Sequence, residues 1–176
     1  MKKLYVFAEG YQDKLLLETL IRATKLSDYY KIYIYEYAQK APNDVSRFIQ
    51  IVKQMPADFI FLADLDFELC ITKKKEKLIK KYQVLSPEKI QIAKMEIESW
   101  YLAGLDKKAS QELGLKYLPN TDAVTKEEFC NLKPKGYISK IVFLEDIRKR
   151  FSVEVASSKN TSFRYFMEKH IRQLLT

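Results

Sequence analysis

Leu4-Tyr5-Val6-Phe7-Ala8-Glu9-Gly10-Tyr11-Gln12-Asp13 is the stretch on which the fold turns. Its short apolar run, closed by Glu9-Gly10, suits a buried strand that meets a loop. Downstream, residues 13–25 place Leu16, Leu17, Leu20 and Ile21 at helical spacing. Residues 31–37 are β-branched and aromatic and read as a second strand. Asn43 reads as the N-cap of a second helix, with Val45, Phe48, Ile49 and Val52 as its buried stripe and Pro56 as its end. Residues 59–63 form a third apolar strand running into Asp64-Leu65-Asp66. Strand–helix–strand–helix–strand is the order of a parallel sheet covered by helices.

Further on, residues 73–82 read as a helix, 90–93 as a fourth strand and 96–105 as a helix. The rhythm then changes. Thr125 opens a capping box with Glu128, and residues 136–150 read as helical. In residues 162–175, Phe163, Phe166, Met167, His170 and Leu174 share one stripe. The expected architecture is an α/β fold, Rossmann-like, with a mostly parallel sheet flanked by helices over residues 1–106. A helical C-terminal extension, 107–176, packs on it.

The 176 residues suit one ordinary domain, large enough to bury a core without staples. Two cysteines, Cys70 and Cys130, make no disulfide framework, and a single His argues against zinc sites and imidazole relays. The opening Met-Lys-Lys-Leu-Tyr-Val-Phe-Ala-Glu is too short in apolar run for a signal peptide, and no window suits a membrane span. A cytoplasmic location is therefore expected. The net charge of +8 is unevenly placed. Residues 1–66 are balanced at nine of each sign, whereas 67–176 hold 22 basic against 14 acidic residues. Lys73, Lys74, Lys75, Lys77, Lys80 and Lys81 form the densest run, with Arg148, Lys149 and Arg150 as a second cluster. Such an excess suits a phosphate backbone, although for charge runs alone the solvated helix face is the favoured reading.

In an open parallel sheet, ligands bind beyond the carboxyl ends of the strands. Three acids fall there: Glu9 after the first strand, and Asp64 and Asp66 after the third. Carboxylates at i and i+2 reach one ion once the chain bends into a loop, and oxygen-only ligands suit Mg²⁺ or Mn²⁺. Without a cation, converging carboxylates repel and their pKa values rise. The competing reading is structural, because Asp often caps helices at loop starts.

Residues 8–13, Ala-Glu-Gly-Tyr-Gln-Asp, resemble the E-G-Y-x-D of the Toprim domain as bacterial primases carry it. Asp64-Leu65-Asp66 resembles the D-x-D of the same family, about fifty residues on. Glu98-Ser99-Trp100-Tyr101-Leu102-Ala103 and Asn160-Thr161-Ser162-Phe163-Arg164 resemble motifs of small stand-alone Toprim-like bacterial proteins with a helical tail. The resemblance is strongest over residues 4–66. It implies a Toprim-like fold in which Glu9 acts as general acid/base or metal ligand and Asp64 and Asp66 bind metal. Glu68 stands where some members carry a third acid, although no Gly follows it. Glu98 matches the extra acid of nuclease-type members and a second metal. Asp13 either supports this set or caps the first helix.

The resemblance therefore implies a Mg²⁺- or Mn²⁺-dependent nuclease that hydrolyses phosphodiester bonds of nucleic acid, DNA rather than RNA. Its catalytic set is Glu9, Asp64, Asp66 and Glu98, with Glu68 among the metal ligands. By analogy with the OLD (overcoming-lysogenization-defect) family, an ATPase partner, a homo-oligomer and a role in phage defence are implied. A lysine among Lys107, Lys108 and Lys140 could stabilise developing charge. Two other readings stand beside it: a metal- and nucleic-acid-binding module that does not cut, and a phosphohydrolase of small phosphate esters. Trp100 reads as core or as a base-stacking ring, His170 as a structural residue of the last stripe, and Cys70 as a small buried hydrophobe. Tyr11 shapes the loop beside Glu9.

Overall fold

The computed structural model describes residues 1–175. Its order begins β1 (Lys2–Ala8), α1 (Tyr11–Ala23), β2 (Tyr30–Glu36), α2 (Pro42–Lys53), β3 (Ala57–Asp64), α3 (Ile71–Tyr82) and β4 (Ile90–Ala93). The four strands form an all-parallel sheet in the order β2-β1-β3-β4, flanked by helices in a Rossmann-like α/β arrangement. Tyr5 pairs with Tyr33 of β2 on one side and with Phe59 of β3 on the other, which puts β1 in the interior of the sheet. Leu4–Ala8 are all buried, the continuous apolar run of a strand covered on both faces.

One face of the sheet is aromatic. Tyr5, Phe7, Phe59 and Phe61 pack there with Val45, Ile49 and Val52 of α2 and Leu78 and Tyr82 of α3. Tyr5 stacks on Tyr33 at 4.9 Å between ring centroids, so edge strand β2 gains packing as well as hydrogen bonds. Helix α2 starts two residues before the sequence reading placed it: Ala41 is the N-cap and Pro42 occupies the first turn. Pro is pre-organised for that position and outweighs the capping signal of Asn43.

The chain divides into two compact units. The first is Met1–Ile92, to which residues 173–175 also belong, and the second is Ala93–Arg172. The expected boundary at 106/107 falls instead inside the second unit. That unit holds α4 (Ile97–Ala103), α5 (Lys107–Glu112), α6 (Lys126–Leu132), α7 (Lys140–Lys149), α8 (Val153–Lys159) and α9 (Thr161–Phe166). A π-helical turn, Met167–Ile171, follows α9 where sequence periodicity reads one continuous helix.

Every residue of α4 is buried, the mark of a helix surrounded by others. Helices α6, α7 and α8 all pack on it. Short helices need help at their ends, and each of the five that follow α4 has a side-chain cap: Asp106, Thr125, Ser139, Ser152 and Asn160. The Thr125–Glu128 capping box read from the sequence is formed in both directions. Among the described residues, no helix is long and apolar enough to cross a membrane.

Candidate active site at the carboxyl end of the sheet

Strands β1 and β3 are neighbours and end together. Phe7 pairs with Phe61, so continuing the register sets Glu9 opposite Ala63 and one position from Asp64. The backbone of Glu9 is also held from the β2 side. Tyr37 N–H donates to the Ala8 carbonyl and Ala38 N–H to the Glu9 carbonyl, each at 3.0 Å. The ladder thus runs past the last residue of β2 and fixes where Glu9 leaves the sheet.

Tyr37 lies beneath this end. Its hydroxyl donates to the Leu62 carbonyl at 3.0 Å, and its ring stacks on Phe61 at 4.5 Å. Burial pushes the Tyr37 phenol well above its ordinary pKa, and Glu9, Tyr82, Asp13 and Asp64 add to the rise in that order. Three carboxylates are therefore within electrostatic reach of one buried hydroxyl. Tyr82, edge-on to Tyr37, is raised too, first by burial, then by Glu9, with Lys74 opposing.

Asp13 has a definite role in this geometry. The Gly10 N–H donates to its Oδ2 at 3.1 Å, which ties off the start of α1. Of its two sequence readings, the helix cap is the one with a hydrogen bond behind it.

The Asp64-Leu65-Asp66 segment bends sharply. Asp66 has a left-handed backbone with φ 52°, a conformation that Asp tolerates better than most residues. The Glu68 N–H then donates to the Leu65 carbonyl at 3.2 Å, closing a turn. This turn sends Asp66 and Glu68 toward α3, where they form ion pairs with Lys74 and Lys77. Lys74 is buried, so its charge is compensated by Asp66 within the fold. The lysine run is therefore divided: Lys74 belongs to the interior, whereas Lys73, Lys77, Lys80 and Lys81 are exposed. The same outward turn overturns the expectation for Cys70, which is exposed at the N-cap of α3 rather than buried.

Among the described residues, no three His, Cys, Asp or Glu side chains are grouped closely enough to hold a metal ion. Mg²⁺ does not require such a cage. At phosphoryl sites it is held by one or two carboxylates, with substrate phosphate and water completing the shell. Hard oxygen donors from Glu9 and Asp64 have the chemistry for that pair.

Glu98 belongs to the second unit. It is buried there, and its Oε1 accepts from Lys140 Nζ at 2.7 Å. Lys140 lies over the Phe129 ring at 5.4 Å, so this lysine is already engaged by Glu98 and an aromatic face. Trp100 is wholly buried against Phe163 and Phe166, which settles it as core and not as a base-stacking ring. His170 is buried beside the Phe166 ring, as its place on the apolar stripe implies.

Two residues of the site escaped the sequence reading. Tyr37 follows the last residue of β2 and, at the end of the aromatic run 31–37, looked like one more strand residue. Lys74 was hidden in a basic run, although its spacing with Leu78 and Tyr82 marks the buried stripe of α3.

No family model, no curated protein and no solved structure matches the chain.

Proposed function

We propose that the carboxyl end of the sheet is a phosphodiester-hydrolysing site that works with Mg²⁺ or Mn²⁺ on nucleic acid. The observation that carries this reading is that Glu9 and Asp64 leave adjacent strand ends one register position apart, both within electrostatic reach of the buried Tyr37 hydroxyl. Glu9 and Asp64 would hold the ion. A divalent cation bound there neutralises a scissile phosphate and lowers the pKa of an attacking water. Lys74, buried and paired with Asp66, would fix the turn that follows Asp64 and so the exit of the chain from the site. Tyr37 anchors the floor through the Leu62 carbonyl, so that the strand end does not shift as charge builds above it.

A second reading has one observation in its favour. Asp66 and Glu68 are engaged by Lys74 and Lys77, which suits a module that binds nucleic acid and does not cut it.

One assay separates the two. Supercoiled plasmid and labelled single-stranded DNA and RNA are incubated with Mg²⁺, Mn²⁺ or EDTA. Wild type, Asp64→Asn and Glu9→Gln are compared. The hydrolytic reading expects metal-dependent cutting by wild type that both substitutions abolish, with nucleic-acid binding retained. Absence of cutting by wild type on every substrate and metal sinks it and leaves the binding module.

A further inference from the structure

The turn that follows β3 sorts its side chains by alternation. Asp66 and Glu68 turn to α3 and are held by Lys74 and Lys77, whereas Phe67 and Leu69 between and after them are almost wholly exposed. Phe67 has 102 % of its reference surface in water. Two ion pairs and a left-handed Asp66 therefore fix an aromatic ring in solvent, three residues from the end of a central strand. Tyr11, half exposed, opens α1 at the end of the neighbouring strand β1. Single exposed apolar residues are ordinary, but Phe67, Leu69 and Ile71 form an exposed apolar series immediately beside the acidic site.

Charge selects the occupant. The exposed lysines Lys80 and Lys81, with Lys73 and Lys77 also exposed in surface ion pairs to Glu76 and Glu68, lie on α3, which begins four residues after Phe67. The chain's whole positive excess lies beyond residue 66. A basic track beside an exposed ring fits a polyanion that carries flat apolar faces. Unpaired nucleic-acid bases offer those faces, and duplex bases, stacked inside the helix, do not.

We propose that Phe67 is a stacking platform for an unpaired base, and that the site takes single-stranded nucleic acid in preference to duplex. This inference rests on the reading of the sheet's carboxyl end as a phosphodiester site, which supplies the place of the scissile phosphate. The ring would hold a base on one side of Asp64 while α3 lysines follow the backbone.

The test is fluorescence anisotropy in EDTA, so that nothing is cut. Short labelled single strands of DNA and of RNA are compared with a duplex of the same sequence. Wild type is compared with Phe67→Ala and Phe67→Trp. Phe67 is fully exposed, so neither change removes a core contact. Wild type is expected to bind the single strand more tightly than the duplex. Phe67→Ala should weaken single-strand binding by about tenfold, and Phe67→Trp should restore it. Equal single-strand affinity in wild type and Phe67→Ala overturns the proposal, as does tighter binding of the duplex. Self-association of wild type that Phe67→Ala removes, seen in sedimentation equilibrium, gives the patch to a second copy and also overturns it. The two readings fail separately. Cutting that Asp64→Asn abolishes, with no effect of Phe67 on affinity, sinks the stacking role alone. A clear effect of Phe67 on affinity with no cutting by wild type sinks the hydrolytic reading alone.

Discussion

Trp100 Nε1 donates to Ser162 Oγ at 2.8 Å, joining α4 to α9 across 62 positions of sequence. Ser162 Oγ also accepts from the Lys94 N–H at 3.0 Å and itself donates to Asn160 Oδ1 at 2.8 Å. Asn160 Nδ2 donates in turn to Ser99 at 3.3 Å and Thr121 at 3.2 Å. The two segments singled out in the sequence, 98–103 and 160–164, thus meet in one buried polar network that organises the second unit.

Ser162→Ala leaves the buried Trp100 indole N–H and the Lys94 N–H without this acceptor, and is expected to cost about 1–3 kcal/mol. Asn160→Ala should cost more, because it also removes the cap of α9. Trp100 is the chain's one tryptophan, so its fluorescence during urea unfolding follows the second unit directly. An unchanged midpoint for Ser162→Ala would disprove the role given to the network.

The Glu98–Lys140 pair is asymmetric, with Glu98 buried and Lys140 about a fifth exposed. Lys140→Met strands the carboxylate and should destabilise by about 3 kcal/mol, the low end for a broken buried pair because water still reaches the lysine side. Glu98→Gln combined with Lys140→Met should recover part of that loss. The prediction fails if the double variant is as unstable as Lys140→Met alone.

Lys159 is buried, and its ammonium donates to the Leu102 carbonyl at 3.1 Å and the Leu105 carbonyl at 2.6 Å. Burial pulls its pKa down to about 8, with Asp106 opposing. Between about pH 8 and the ordinary lysine value of about 10.4, the unfolded chain holds a proton that the folded chain has released. Stability from this group should therefore rise with pH through that window, by at most about 3 kcal/mol. Lys159→Met should flatten the rise. Urea midpoints read from Trp100 at about pH 8 and about pH 10, close to the edges of the window, provide the check.

Tyr37 has the opposite sign. Its folded pKa is raised, so above about pH 10 the unfolded chain loses a proton that the folded chain keeps, and stability falls. Tyr37→Phe should flatten this alkaline loss, and at neutral pH should cost about 1 kcal/mol for the lost bond to the Leu62 carbonyl. Circular dichroism across urea titrations at neutral and alkaline pH would show it. A variant with the alkaline slope of wild type would refute the assignment.

The sheet was legible because its strands are apolar runs that stop at charged residues. Leu4–Ala8 stops at Glu9, and the run to Ala63 stops at Asp64, so the strand ends and their acids came together. The destinations of Asp66 and Glu68 were not legible, because they depend on one left-handed residue that aims both at α3. Cys70, read as a small buried hydrophobe, was misplaced for the same reason: the turn carries it outward. In the second unit, the Thr125–Glu128 capping box could be read from its local spacing. The meeting of Ser99 with Asn160 could not, since no local pattern encodes a contact between such distant positions.

Strand β1 lies between β2 and β3, and both partners come later in the chain. During synthesis its buried residues, Leu4–Ala8, emerge with both edges bare. Pairing with β2 can cover one edge once residues 30–36 have appeared, but the other waits for residues 57–64. In that interval the chain presents an apolar strand with an open hydrogen-bonding edge, the form most prone to pair with a neighbouring nascent copy. Slowing elongation between α2 and β3 should therefore lower the yield of folded protein more than a pause placed after Asp64.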